Sequence, residues 1–330
     1  MMTEASVLFE KQDGGGWITL NRPHALNALN LEMVQAITEK LIQWEADDDV
    51  NYVVIQGNGR GFCAGGDLRA VYEAIQNGNS DAAVEFFKVE YHLNLMIHNY
   101  SKPYISLLPG ITMGGGMGLS IHGTYRVVSE NSVMAMPETA IGLFPDVGAA
   151  WFLNRCPGKS GLYVALTSAR INYLSALYMG LATHYVPLAG LEGLIEAIRE
   201  SRGQNLAQVL ETHQQRPEGR SVIQEEQSLI DGYFNQNSIE EVFQALASSN
   251  SIFAVTNLEA LKLRSPLSLR AAFGYLKRAE NMSIEDVLEQ DLEFARACIQ
   301  ADDLYEGIRA TVIDKDLKPV WKSEPIVTSL

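Results

Sequence analysis

Cysteine is scarce in this 330-residue chain: Cys63, Cys156 and Cys298 are odd in number, far apart and without CxxC spacing. That pattern argues against a disulfide framework or a structural zinc site and fits a reducing compartment. Long apolar runs are missing too. No window approaches the roughly 20 residues that span a bilayer, and the N-terminus shows neither a basic stretch leading into an apolar one nor an Arg-rich transit-like segment. The expected location is cytoplasmic, with no membrane partner. Basic residues are outnumbered, 25 Lys and Arg against 40 Asp and Glu, for a net charge of −15. So acidic a chain is a poor general partner for nucleic acid or an anionic membrane. It offers a phosphorylated ligand no long-range attraction, so local groups must hold one.

Familiar catalytic signatures are also absent. The six histidines form no HxxH or HExxH, which leaves metal chemistry without support, and no metal site is expected. In Gly118-Leu119-Ser120-Ile121-His122 a histidine stands where the second glycine of GxSxG belongs, so the serine nucleophile elbow is missing. The dinucleotide fingerprint fails because Phe62 occupies its last glycine position, and no Gly-Lys-Ser/Thr completes a Walker loop.

What is present is an ordinary globular composition, 47% hydrophobic and 20% charged. The length allows one large domain, or one domain with a helical appendage. Val7–Glu10, Trp17–Leu20, Tyr52–Ile55, Tyr104–Leu108 and Tyr125–Val128 read as strands. Met33, Ile37, Leu41 and Trp44 recur at helical spacing, and Leu68–Ile75 and Ala82–Ile97 also look helical. This alternation predicts an α/β core. From about Gly148 onward the pattern is helical nearly throughout. Val287, Leu288, Leu292, Ala295 and Ile299 form one amphipathic stretch, and Ser283 with Asp286 gives a capping-box-like start. Residues 202–224, polar and containing Pro217 and Gly219, read as a surface connection.

Three clusters carry candidate chemistry. Gly57–Asp67 and Gly110–Ser120 are glycine-rich and each follows a strand. A lone glycine loop is commonly only a turn, and three consecutive glycines are poor helix formers. Taken together, the loops offer two backbone N–H groups that could converge on one carbonyl oxygen as an oxyanion hole, worth about 3–4 kcal/mol per donor in a transition state. The third cluster, Met136–Gly148, sets Glu138 and Asp146 among apolar residues between two prolines and two glycines. Apolar surroundings raise a carboxylate's pKa and suit it to act as base or nucleophile. A helix cap or a loop ion pair is the plainer use of either acid.

Asn21-Arg22-Pro23 with Leu26-Asn27-Ala28-Leu29, then Phe62-Cys63-Ala64-Gly65-Gly66-Asp67, then the glycine triplet, resemble the crotonase (enoyl-CoA hydratase/isomerase) superfamily. The resemblance implies a spiral of ββα units followed by a helical C-terminal region, here placed at residues 1–200 and 201–330. It implies a thioester oxyanion held by the N–H groups of Gly66 and Gly115, an acyl-CoA substrate with Ala64 and Asp67 among its contacts, and no separate cofactor. Arg22 is a candidate phosphate contact or a plain surface arginine, and trimers or hexamers are frequent among such proteins.

Typical hydratases of the superfamily carry a first catalytic glutamate where this chain has Gly118 and a second where it has Glu138. With half the pair missing, hydration is disfavoured. The segments Gly110–Gly116, Met136–Gly148, Phe86-Phe87 with Glu90-Tyr91, Ser265-Pro266 with Ser268-Leu269, and Glu306–Trp321 are instead similar to the superfamily's hydrolases of 3-hydroxyisobutyryl-CoA. That similarity implies thioester hydrolysis, with Glu138 as nucleophile or general base, Asp146 managing the proton, and Glu90 contacting the acyl 3-hydroxyl. Ala149-Ala150 departs from the glycines usual there. The alternatives are a hydratase or isomerase of the same scaffold and a non-catalytic acyl-CoA-binding protein.

Overall fold

The computed structural model describes residues 5–326. These residues group into two units interleaved along the chain. The first takes residues up to 66, 92–134 and 171–221; the second takes 67–91, 135–170 and those from 222 onward. Neither coincides with a division at residue 200, although beyond that point every described regular element is helical.

The first unit rests on strands β1 (Val7–Gln12), β2 (Gly15–Leu20), β3 (Tyr52–Gly57), β4 (Gly61–Cys63), β5 (Tyr104–Leu108), β6 (Ile111–Met113), β7 (Tyr125–Val128), β8 (Val133–Ala135), β9 (Ile171–Asn172) and β10 (His184–Tyr185). They form a six-stranded sheet ordered β1-β2-β3-β5-β7-β10 and a four-stranded sheet ordered β4-β6-β8-β9. From β3 to β8, successive strands alternate between the sheets. Each ββ pair thus advances the chain by one strand in both, which is the spiral of ββα units expected above. In the larger sheet β1 pairs antiparallel with β2 and the remaining pairs are parallel.

Strand periodicity accounts for the packing. Ile105 and Leu107 are two apart, so they share a face. They join Trp17, Tyr52, Val54 and Val127 in one buried cluster. Helix α1 (Leu31–Glu45) begins where the Asn30 side chain accepts the Met33 N–H at 2.9 Å, satisfying one of the orphan donors of a helix start. It buries Met33, Val34, Ile37, Leu41 and Trp44. The Trp44 ring lies so close to β2 that a Cβ on Gly16 would fall 2.4 Å from it, which reserves that position for glycine.

The second unit is helical. It contains α2 (Leu68–Gln76), residues 80–91 of α3 (Ser80–His98), and the helices Pro266–Arg278 and Ile284–Gln300, among others. Ser283 accepts the Asp286 N–H at 3.1 Å, so the expected cap is present. Phe144, Tyr275 and Phe294 make a compact aromatic group, with ring centroids 4.9–5.9 Å apart.

Residues 202–224 are not simply a surface connection. Leu206–His213 is a helix, and its Leu206 and Leu210 enter the same cluster as Trp17 and Tyr52, alongside Leu194 and Ile198 of the helix Leu188–Ser201. The polar composition masked two leucines four residues apart, which is sufficient to seat a short helix on a sheet. Leu210→Ala should therefore destabilise the protein by about 2–5 kcal/mol in urea unfolding. A change near zero is the outcome expected of a surface loop.

Candidate active site

Within the first unit, the two glycine loops lie backbone to backbone. Leu29 N–H donates to the Gly65 carbonyl at 2.8 Å, and Ala64 N–H to the Leu26 carbonyl at 3.0 Å, fixing the end of β4. Gly65 has φ +110°, and a Cβ there would stand 3.3 Å from the Met113 carbonyl and 3.6 Å from the Gly115 amide nitrogen. A Cβ on Gly116 would lie 2.4 Å from the Cys63 carbonyl. The triplet is thus accounted for. Gly114 takes a positive φ of 50°, Gly115 opens α4 (Gly115–Ile121), and Gly116 permits the close approach. The Met117 and Gly118 amides both turn back to the Gly114 carbonyl. The Gly115 amide lies in the first turn, where a helix supplies no backbone acceptor. Gly118 is buried within α4. The Arg22 guanidinium donates to the Ala28 carbonyl at 2.6 Å, closing its own turn. A groove of about 760 Å³ elsewhere on this unit is lined by Asp13, Gln56, Glu192, Glu196, Arg199 and others, none of them a predicted site residue.

Within the second unit, three predicted acids are buried: Glu90 on α3 at 2% exposure, Glu138 at 4% and Asp146 at 4%. Asp67 opens α2 as its N-terminal flanking residue without a capping bond from its side chain. Glu138 begins a single 3₁₀ turn after Pro137, and the Ile141 and Leu143 amides both donate to its carbonyl. Asp146 is held by the Tyr91 hydroxyl, which donates to Oδ2 at 2.7 Å. One oxygen of Glu90 (Oε1) and one of Glu138 (Oε2) are buried without a hydrogen-bond partner. Leaving a buried polar atom unsatisfied costs about 1–3 kcal/mol, and such exceptions concentrate at functional sites.

The electrostatics rank the acids. Burial first, and then the charge of Asp146, push Glu90 and Glu138 well above the usual carboxylate range. Burial also raises Asp146, but the hydrogen bonds from Tyr91 and from its own backbone amide oppose the rise and hold it at about 6. Asp146 therefore ionises first. Glu90 and Glu138 hold their protons to higher pH than Asp146 does.

Tyr91, Asp291 and Tyr275 complete the surroundings and were not singled out from sequence as site residues. Asp291 shows one local signal: it falls on the apolar stripe of its helix, four residues after Val287 and three after Leu288, where an acid is out of place. Ala149 and Ala150 sit fully buried at the start of a short helix that follows Gly148.

Residues 15–328 match the enoyl-CoA hydratase/isomerase family, and the chain belongs to it. Among its curated relatives are the mitochondrial 3-hydroxyisobutyryl-CoA hydrolases of Xenopus laevis and Homo sapiens. The first is 44% identical over 331 residues, spanning 98% of this chain and 86% of the relative. The second is 41% identical over 324 residues, spanning 96% and 84%. Among solved structures, a carnitinyl-CoA dehydratase from Mycobacterium thermoresistibile superposes with TM-score 0.91 at 38% identity over 97% of this chain and 92% of that one. An enoyl-CoA hydratase from Rhodobacter sphaeroides 2.4.1 gives 0.90 at 39% identity over 97% and 93%.

One expectation is overturned. A cytoplasmic location does not stand against relatives that are named as mitochondrial. Free cysteines and the finding that, among the described residues, no helix is long and apolar enough to cross a membrane carry no address.

Because Asp146 is raised in the folded state from 3.8 to about 6, it favours folding when protonated, and that contribution is lost as pH rises through 6. Asp146→Asn should accordingly raise stability by on the order of 2–3 kcal/mol above the folded pKa. The gain should shrink between pH 6 and 4 and vanish below, as read by thermal melts across that range.

Proposed function

We propose that this chain hydrolyses a 3-hydroxyacyl-CoA thioester, 3-hydroxyisobutyryl-CoA above all, giving the free 3-hydroxy acid and coenzyme A. The observation that carries the reading is the buried carboxyl of Glu138, with one oxygen unpartnered and its proton coupled to an anionic Asp146. The relatives named as hydrolases of that thioester favour it further. Two solved structures of comparable identity carry hydratase and dehydratase titles. Gly118 argues against that chemistry here, since by resemblance a hydratase needs a second carboxylate at its position.

In this mechanism the thioester carbonyl oxygen accepts hydrogen bonds from the Gly66 and Gly115 amides, which stabilise the negative charge it gains in the tetrahedral intermediate. Asp146, the carboxylate already ionised, takes the proton from Glu138. The freed Glu138 carboxylate either adds to the carbonyl carbon, expelling the coenzyme A thiolate and leaving a mixed anhydride for water to open, or withdraws a proton from a water that adds directly. Both routes consume one water and return one acid and one thiol. Glu90, with an unpartnered oxygen, accepts a hydrogen bond from the acyl 3-hydroxyl. A buried group left unpaired by acyl chains lacking that hydroxyl discriminates strongly against them. Such a reaction belongs to the breakdown of branched acyl groups such as those derived from valine.

With 3-hydroxyisobutyryl-CoA and a thiol reagent, wild type should release thiol, and Glu138→Gln should lose about 10²–10⁴-fold or more in kcat. Hydration of crotonyl-CoA without thiol release would identify a hydratase instead, and single turnover in ¹⁸O water assigns the route, since only covalent capture labels the Glu138 carboxylate. Tyr91→Phe removes the bond that lowers the Asp146 pKa, so the acid limb of the kcat/KM profile should move up by about one pH unit.

A further inference from the structure

The chain leaves Asp146 through two left-handed residues, Val147 at φ 53° and Gly148 at φ 79°. A β-branched residue there costs on the order of 1–3 kcal/mol and persists only where its surroundings impose it. A carboxyl group from a distant helix contributes to imposing it. The Gly148 N–H donates to Asp291 Oδ2 at 2.8 Å, and Asp291 is fully buried.

The other oxygen of that carboxyl determines its state. Asp291 Oδ1 lies 2.7 Å from the Tyr275 hydroxyl oxygen, which also lies 2.8 Å from the Val287 carbonyl. The hydroxyl has one hydrogen for two neighbours. Given to Asp291, it leaves a full negative charge in an enclosed place. The groups acting on that carboxyl are the Tyr275 hydroxyl, the Gly148 amide and the like charge of Asp146, while Tyr91 feels the charges of both aspartates. Phe144 and Phe294 flank Tyr275, and Arg278 acts on the tyrosine and stacks on Phe294. Given to Val287, the hydrogen leaves Tyr275 as an acceptor, and Asp291 must itself donate from Oδ1. That assignment satisfies every partner with neutral groups, the arrangement that burial favours.

We propose that Asp291 is a neutral carboxylic acid in the folded protein and acts as a positioning residue for Asp146, by way of the relay Gly148 N–H to Asp291 to Tyr275 to the Val287 carbonyl. The positioning half rests on the thioester-hydrolase reading; the protonation half does not. Burial pushes the Asp291 carboxyl well above the ordinary range, and the Asp146 charge acts in the same direction. Neutrality has a consequence for the neighbouring acid. An anion at residue 291 would hold Asp146 protonated to higher pH, whereas an acid orients the turn without adding charge.

Asp291→Asn reproduces the neutral arrangement, its amide donating to Tyr275 and its carbonyl accepting from Gly148. It should match wild type in kcat and in the acid limb of the kcat/KM profile, and its melting temperature should rise above wild type's by an amount that grows between about pH 5 and 8, because the wild-type carboxyl is protonated when folded and ionised when unfolded. An acid limb displaced to lower pH, or a stability difference from wild type that stays constant between about pH 5 and 8, would mean that the carboxyl is already ionised in the folded protein and overturns neutrality. Asp291→Ala should lower kcat about ten-fold or more with KM little changed, measured well below its melting temperature. Tyr275→Phe, which keeps the carboxyl and the packing, should lower kcat in the same sense by less. Unchanged kcat in both overturns the positioning role. If wild type releases no thiol, the hydrolase reading fails by itself, and the stability comparison of Asp291→Asn with wild type still decides the protonation.

Discussion

Carboxyl groups buried together with, among the described residues, no ion pair to any of them are the constraint around which the second unit is organised. Glu90, Glu138, Asp146 and Asp291 are each at most 4% exposed, and burial raises the pKa of all four. Fully ionised, the group could not persist, because desolvation and mutual repulsion act in the same direction. Protons and hydroxyl donors stabilise it instead. Tyr91 donates to Asp146, Asp291 keeps its proton beside the Tyr275 hydroxyl, and the tyrosines themselves are kept protonated by burial and by the neighbouring acids. Such an arrangement opposes stability in favour of reactivity, as sites held in a strained or desolvated state commonly do.

The fold by itself does not select the reaction. Structures titled hydratase and dehydratase superpose on this chain with TM-scores of 0.90 and 0.91, and relatives of similar identity are named hydrolases. What all of them share is the course of the backbone. Reactions on one fold are told apart by the side chains placed on it. In this chain residue 118 is glycine and residue 138 is glutamate, and such single positions are not registered by the backbone course.

Much of the fold was legible because it depends on local periodicity. The strands at Tyr104–Leu108 and Tyr125–Val128, the helix beginning at Leu31 and the Ser283 cap follow from residues within a few positions of one another. The helix Leu206–His213 was missed for the converse reason. Its polar residues dominate the composition, and its two buried leucines acquire meaning only against Trp17 and Tyr52, far away in sequence. The glycine triplet was legible as unusual, but its cause, the approach of the Cys63 carbonyl to Gly116, lies in another strand.

By itself the sequence determined the alternation of strands and helices, the two glycine loops, the lone acid pair of the Met136–Gly148 segment, and through them the family. Only the tertiary structure decided which acids share an environment and how their protons divide. Tyr91, Asp146, Tyr275 and Asp291 come from four separate parts of the chain. A carboxyl's pKa is set by the water it loses and the donors and charges that replace it, and those depend on distances through space, which no local pattern encodes.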